Sequence, residues 1–200
     1  MTNVNLSELY APPSEMIVKA VLDHLLPFHL SYLKAATFFC LASGSADGLD
    51  ASPRGGAAGF VHALDSKTVA FADWPGNNRI ASLTNLQQDD RIGMLFLFPG
   101  LEIFMRINGH AAISTHPELL QALAEGARLP KTAVVVKLDE VLFHCGKAIN
   151  RAKLWTEEAR LDRKALPSPG ELVAAITGAD SGAAQAMDEG YDTAMRGQLY

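Results

Sequence analysis

The residues best suited to chemistry lie in two short polar runs, each carrying one arginine. Asp73-Trp74-Pro75-Gly76-Asn77-Asn78-Arg79 joins a strand pattern, Thr68–Ala72, to a helical one in which Ile80, Leu83 and Leu86 recur. The run holds a Pro-Gly turn, two asparagines suited to capping, and an arginine placed in the first helical turn. A helix start presents unpaired N–H groups and the positive end of the macrodipole. An arginine there opposes the dipole, which makes sense if the pair grips a phosphate. An ordinary capped helix with a solvent-facing arginine is the other reading of this segment.

The second run, Asp50-Ala51-Ser52-Pro53-Arg54-Gly55-Gly56, precedes a strand-like stretch, Ala57–Ala63. Strand ends would then bring Arg54 near Arg79. Two guanidiniums with a row of backbone amides suit a dianionic phosphomonoester, because arginine offers planar, paired donors. The glycines would let a ligand approach the backbone.

The elements that must position these residues read as strands between terminal helices. A helix capped by Ser14 is expected to run to Leu26, with Ile17, Val18, Val21, Leu22 and Leu25 on one face. Pro27 ends or kinks it, and a second short helix carries Leu30 and Leu33. Strands are expected at Thr37–Ala42, Ala57–Ala63, Thr68–Ala72, Arg91–Phe98, Arg106–Ser114 and Thr132–Phe143, with helices at Asn78–Gln87 and Pro117–Gly126. Ile92–Phe98 is apolar apart from Gly93, as for a strand covered on both faces. Strands joined by tight turns favour an antiparallel barrel over a doubly wound sheet. The expected organisation is a helical segment at 1–34 on a barrel at 35–155, then a helical tail at 156–200, one domain overall.

Other chemistry is thinner. Arg106 reads as a surface arginine, with reach to a ligand as the alternative. Cys145–Trp155 gathers Lys147, Arg151 and Lys153 beside Trp155, which reads equally as a surface helix anchored by its tryptophan or as the wall of an anionic or π-rich ligand site. The six histidines form no pair at metal-ligand spacing with a carboxylate, so no metal site is expected. No Gly-x-Ser-x-Gly turn occurs, and Cys40 sits in an apolar strand pattern where a thiol is inert.

With 200 residues, 48% of them hydrophobic, the chain can bury a substantial core. A net charge of −5 and the lack of a basic block point away from nucleic acid. No apolar stretch is long enough to cross a bilayer, no signal peptide is evident, and Cys40 and Cys145 lack zinc or disulfide spacing. A cytoplasmic location is expected.

Five segments in order, "SPRGG", "DWPGNNR", "RIGMLFLFPG", "MRINGHAAI" and "CGKAINRAKLW", give the chain from about Phe38 to Trp155 its resemblance to a known family. It resembles the FMN-binding split-barrel flavoproteins similar to pyridoxamine 5'-phosphate oxidase, within an uncharacterised oxidase-related subgroup. The resemblance implies a mainly β fold with peripheral helices, a split antiparallel β-barrel, and a homodimer with FMN at the subunit interface. It implies that Ser52, Arg54, Gly55, Asp73, Asn77, Asn78 and Arg79 hold the phosphate and ribityl chain. Lys147, Arg151 and Trp155 would form a wall of the site, from the other subunit. The implied activity is an FMN-dependent oxidoreductase acting on a small-molecule substrate or a reduced nicotinamide, and no catalytic residue is assigned.

The chain departs from the better-studied oxidase in three places. Asn78-Arg79 stands where that enzyme has Arg-Lys, and Phe104 or Met105 stands where a glutamine contacts its flavin. The chain ends in Met195-Arg196-Gly197-Gln198-Leu199-Tyr200 without the family's substrate-binding Arg and His, which argues against vitamin B6 phosphate as substrate. A non-catalytic flavin- or haem-binding protein and an enzyme using the deazaflavin F420 are the alternatives.

Overall fold

In the computed structural model, which describes residues 4–197, the alternating apolar segments form antiparallel strands. They are β1 (Phe38–Ser45), β2 (Gly48–Gly55), β3 (Val61–Ala63), β4 (Thr68–Asp73), β5 (Arg91–Leu97), β6 (Ile103–Ser114) and β7 (Thr132–Cys145). The sheet order is β2-β1-β5-β6-β7-β4-β3, and every pairing is antiparallel. The sheet does not close by hydrogen bonds, yet it coils far enough for Arg54 on the edge strand β2 to reach Asp73 on β4, Nη2 to Oδ1 at 3.9 Å. The architecture is the expected split barrel, open along this seam.

Period-two alternation sends one face of each strand inward. Phe39, Leu41, Phe71, Met94, Phe96, Met105, Ile107 and Val134 are fully buried there. Phe39 is the hub, with its ring 5.1–5.6 Å from those of Phe60, Phe71 and Phe96. β5 is not covered equally on both faces: Met94 and Phe96 are buried, whereas Gly93, Leu95 and Leu97 are half-buried. Its unbroken apolar run reflects an outer face that is only partly shielded.

The structure corrects several expected elements. The run from Asp50 to Gly55 is itself strand β2, and only Val61–Ala63 of the expected Ala57–Ala63 strand is extended. Pro53 is tolerated because β2 is an edge strand. After a separate short α1 (Leu6–Leu9), the expected helix from Ser14 to Leu26 forms only as α2 (Glu15–Lys19), and neither buries a residue. α2 stops well before Leu26 because Leu22 instead exchanges two backbone hydrogen bonds with Val141 of β7, at 3.1 and 2.7 Å. α3 (Pro27–Ala35) starts on Pro27, whose missing N–H costs nothing at a first turn.

The helix after β4 also begins later than expected. α4 spans Ala81–Gln88, because Asn78 and Ile80 have positive φ of 59° and 39°, outside the helical region. Arg79 therefore precedes the helix rather than occupying its first turn. α4 buries Ser82 and Leu86. α5 (Pro117–Ala122) follows β6.

The chain divides into two compact units at Lys147/Ala148. α6 (Lys147–Ala152) crosses that boundary, and the second unit holds α7 (Pro169–Thr177) and α8 (Ser181–Gly197). Gln198–Tyr200 lie outside the described residues. A capping box between Ser168 and Glu171 starts α7, and Gly178 ends it at φ 75°. Asp188 of α8 accepts from Ser168 Oγ at 2.5 Å and from the Gly170 N–H at 2.8 Å, locking the hairpin.

Candidate functional site

The seam of the barrel is where the polar residues converge. On β2, alternation puts Asp50, Ser52 and Arg54 on one face. Asp50 Oδ2 accepts from Ser52 Oγ at 2.8 Å and from Ser82 Oγ at 2.6 Å. Ser82, in the first turn of α4, is only 2% exposed, and its oxygen accepts from Arg54 Nη2 at 3.3 Å. Arg54 Nη1 donates to the Pro53 carbonyl at 2.9 Å. Its Nε is buried and has no hydrogen-bond partner among the described residues. An orphaned charged donor of this kind is costly unless a further acceptor meets it.

Electrostatics follow from this geometry. Asp50 is held below the usual carboxylate range, first by the Ser82 hydroxyl, then by Ser52 and the charges of Arg54 and Arg79, against the opposing effect of burial. Asp73 is pushed upward by burial, partly offset by Arg54. The seam thus joins Arg54 to Asp73, and the charges of Arg54 and Arg79 both act on Asp50.

Of the expected site residues, Ser52, Arg54 and Asp73 meet at the seam. Asn77, Asn78 and Arg79 are exposed in the loop between β4 and α4. Asn77 does not cap the helix; its Oδ1 accepts from the Arg79 N–H at 3.0 Å and shapes the loop. Ile80 is the N-cap residue, with no side-chain cap. Arg79 makes no salt bridge among the described residues, and its charge is felt at Asp50. A Cβ on Gly55 would lie 3.3 Å from the Thr37 carbonyl, and one on Gly56 would lie 2.8 Å from Phe60, so chain packing accounts for both glycines. Lys147 is the exposed last residue of the first unit; in the second, Arg151 is exposed and Trp155 half-buried.

Asp50 and Ser82 are the members of this cluster that no motif assigned. The Asp-x-Ser-x-Arg alternation is the available signal, since a strand places all three on one face. Ser82 has no such signal, being 28 residues from Arg54 and 32 from Asp50.

Arg106 proves to be neither a free surface arginine nor part of the seam. It is half-buried, donating from Nη2 to Glu140 Oε1 at 2.9 Å, while Asn108 donates to the same oxygen at 2.7 Å. Met105 faces the core and Phe104 the outer face of β6. His29 is 1% exposed, accepts from the Leu26 N–H at 2.9 Å and stacks on Phe143; burial lowers its pKa. His110 sits between Asp90 at 2.8 Å and Asp139 at 3.2 Å, which raises its pKa. It borders a depression of about 480 Å³ whose arginine, Arg91, is already paired with Asp89. That depression is a poorer anion site than the seam. No group of three or more His, Cys, Asp or Glu among the described residues is placed to hold a metal, and no helix among them is long and apolar enough to cross a membrane.

A split antiparallel barrel with an arginine-centred polar seam is the class of protein that the fold and site define. Residues 25–145 match the sequence profile of the family described as Pyridoxamine 5'-phosphate oxidase. The chain belongs to that family. No curated protein matches it. Among solved structures, it is similar to HupZ of Group A Streptococcus at 20% identity over 58% of this chain and 92% of that one, with a TM-score of 0.47. The General Stress Protein 26 from Bacillus anthracis str. Sterne is 10% identical over 57% of this chain and 89% of its own, with a TM-score of 0.45. An FMN-binding protein from Syntrophomonas wolfei subsp. wolfei is 12% identical over 57% and 80%, with a TM-score of 0.44.

Proposed function

We propose that this protein is an FMN-dependent oxidoreductase that works as a homodimer in the cytoplasm. Its substrate is a small molecule other than vitamin B6 phosphate, or a reduced nicotinamide. The observation that carries the proposal is the orphaned, buried Nε of Arg54 at the seam, with Arg79, which has no salt bridge among the described residues, near enough for its charge to act on Asp50. These residues fit the phosphate of FMN: two guanidiniums offer paired donors, and the loop at Gly76 leaves open space around its backbone. When bound, FMN would supply the redox chemistry. Arg54 and Arg79 would hold its phosphate, and Ser52 and Asn77 would offer polar contacts beside it. From the other subunit of the dimer, Lys147, Arg151 and Trp155 are proposed to contribute contacts to the ring.

An absorbance spectrum of the purified protein before and after denaturation, with chromatography of what is released, tests the cofactor. FMN at about one per subunit supports the proposal. A Soret band moves it to haem, and a colourless protein that takes up no added FMN ends it. The phosphate assignment predicts that Arg54→Ala and Arg79→Ala each weaken FMN binding about tenfold or more, as expected for losing a charge-assisted hydrogen bond. Flavin fluorescence titration reads this directly. Unchanged affinity in both variants would place the phosphate elsewhere.

A further inference from the structure

Asp50 is a carboxylate in the wrong place for a site that binds an anion. By charge alone it repels a phosphate, yet it is built into the seam by two hydroxyl hydrogen bonds, from Ser52 at 2.8 Å and from Ser82 at 2.6 Å. The Ser82 hydroxyl carries one proton, and the shorter bond commits that proton to Asp50. The serine oxygen is then left as an acceptor, and it takes Arg54 Nη2 at 3.3 Å. The polarity of the chain is therefore fixed, running from Arg54 through Ser82 to Asp50.

The rest of the guanidinium is held in the same sense. Nη1 donates to the Pro53 carbonyl at 2.9 Å, while Asp73 lies at 3.9 Å from Nη2, an ion-pair distance but not a hydrogen bond. Each Nη gives one of its two N–H groups to the protein, and Nε gives none. We propose that Asp50 and Ser82 are positioning residues of the anion site, fixing the Arg54 guanidinium through Nη2 so that its N–H groups without a protein partner, Nε among them, are held for the ligand. The inference rests on the reading of Arg54 as the phosphate anchor. Asp50 contributes orientation that outweighs its repulsion, and Ser82 conveys that orientation from α4 to the edge strand.

The sign of one substitution separates orientation from charge. Asp50→Asn removes a negative charge near the anion, so electrostatics alone predicts tighter binding. Positioning predicts weaker binding, because the amide no longer fixes the serine proton as a carboxylate does. Wild type, Asp50→Asn, Ser82→Ala, Ser82→Thr and Arg54→Ala would be titrated with FMN by fluorescence and with inorganic phosphate by calorimetry. Thermal unfolding of each variant establishes that it is folded.

The expected result is about tenfold weaker binding of both probes by Asp50→Asn and by Ser82→Ala. Ser82→Thr, which keeps the hydroxyl, is expected to retain binding, and a chain carrying both Asp50→Asn and Ser82→Ala to be no worse than either single variant. Folded Asp50→Asn protein that binds phosphate as tightly as wild type, or tighter, overturns the inference; if that variant does not fold, undiminished binding by Ser82→Ala overturns it. Wild type that binds phosphate but not FMN, with the same losses in the variants, supports positioning while ending the flavin reading. Arg54→Ala with unchanged phosphate affinity, or wild type that binds neither probe, ends both.

Discussion

Burial and charge pull Asp73 in opposite directions. Desolvation disfavours its carboxylate, and the Arg54 guanidinium 3.9 Å away favours it, with burial the larger effect. The other charged groups around the seam are Asp50 and Arg54 on β2 and Arg79 in the loop before α4; Thr132, its partner on β7, adds a buried hydroxyl without a hydrogen-bond partner among the described residues. A phosphate brought to Arg54 would raise the Asp73 pKa further, so the ligand-bound state binds more protons than the free state. Affinity for an anion must then fall as pH rises from the already raised pKa of the free protein to the higher pKa of the complex. Asp73→Asn is expected to bind FMN more tightly than wild type above that range and to flatten the dependence that remains after the phosphate's own titration is subtracted. Calorimetry in two buffers of different ionisation enthalpy checks it: proton uptake on binding should be smaller in the variant. Arg54 and Asp73 were legible in the sequence because each sits in a run of turn and polar residues beside an apolar strand. Asp50 and Ser82 gain their significance only through a contact between distant segments, and sequence spacing carries no trace of that.

Strands were legible where alternation and apolar character agree, as in β4, β5 and β7. They were illegible where the strand is held by its neighbour rather than by its own composition. Gly48-Leu49-Asp50-Ala51-Ser52-Pro53-Arg54-Gly55 has little intrinsic strand preference, yet it pairs with β1 over all eight positions. The shortened α2 and the late start of α4 have equally specific causes, the Leu22–Val141 bridge and the left-handed residues Asn78 and Ile80. Glycines show a similar divide. The β6–β7 register shifts between Asn108 and Gly109, and a Cβ on Gly109 would lie 2.1 Å from the Lys137 carbonyl oxygen. Backbone cannot yield as a flexible side chain does, so Gly109→Ala is expected to cost about 1–3 kcal/mol of stability. Gly76 has nothing within 4 Å of the same ideal position, and Gly76→Ala is expected to stay within about 0.5 kcal/mol of wild type. Urea denaturation of the two variants tests the contrast; equal costs would mean that the bulge relaxes.

At the scale of the whole molecule, the proposed chemistry is divided unevenly between the two units. Every polar group of the seam, from Asp50 to Ser82, belongs to the unit ending at Lys147. Arg151 and Trp155 belong to the unit that follows, which is built around its own α7–α8 hairpin and the Asp188 lock. Phosphate and ring are therefore separable demands. A chain truncated after Lys147 keeps the seventh strand, the buried Phe39 cluster and the whole arginine site, so it is expected to fold and to bind inorganic phosphate within about twofold of the full chain, less than the loss of one hydrogen bond would cause. It lacks Arg151 and Trp155, and loss of an aromatic and a cationic contact is expected to weaken FMN about tenfold or more. Calorimetry with phosphate and fluorescence titration with FMN on the two chains measures both. Parallel losses would mean that the second unit supports the seam itself, whereas no loss for either ligand would remove Arg151 and Trp155 from the site and leave the first unit as the complete flavin-binding body.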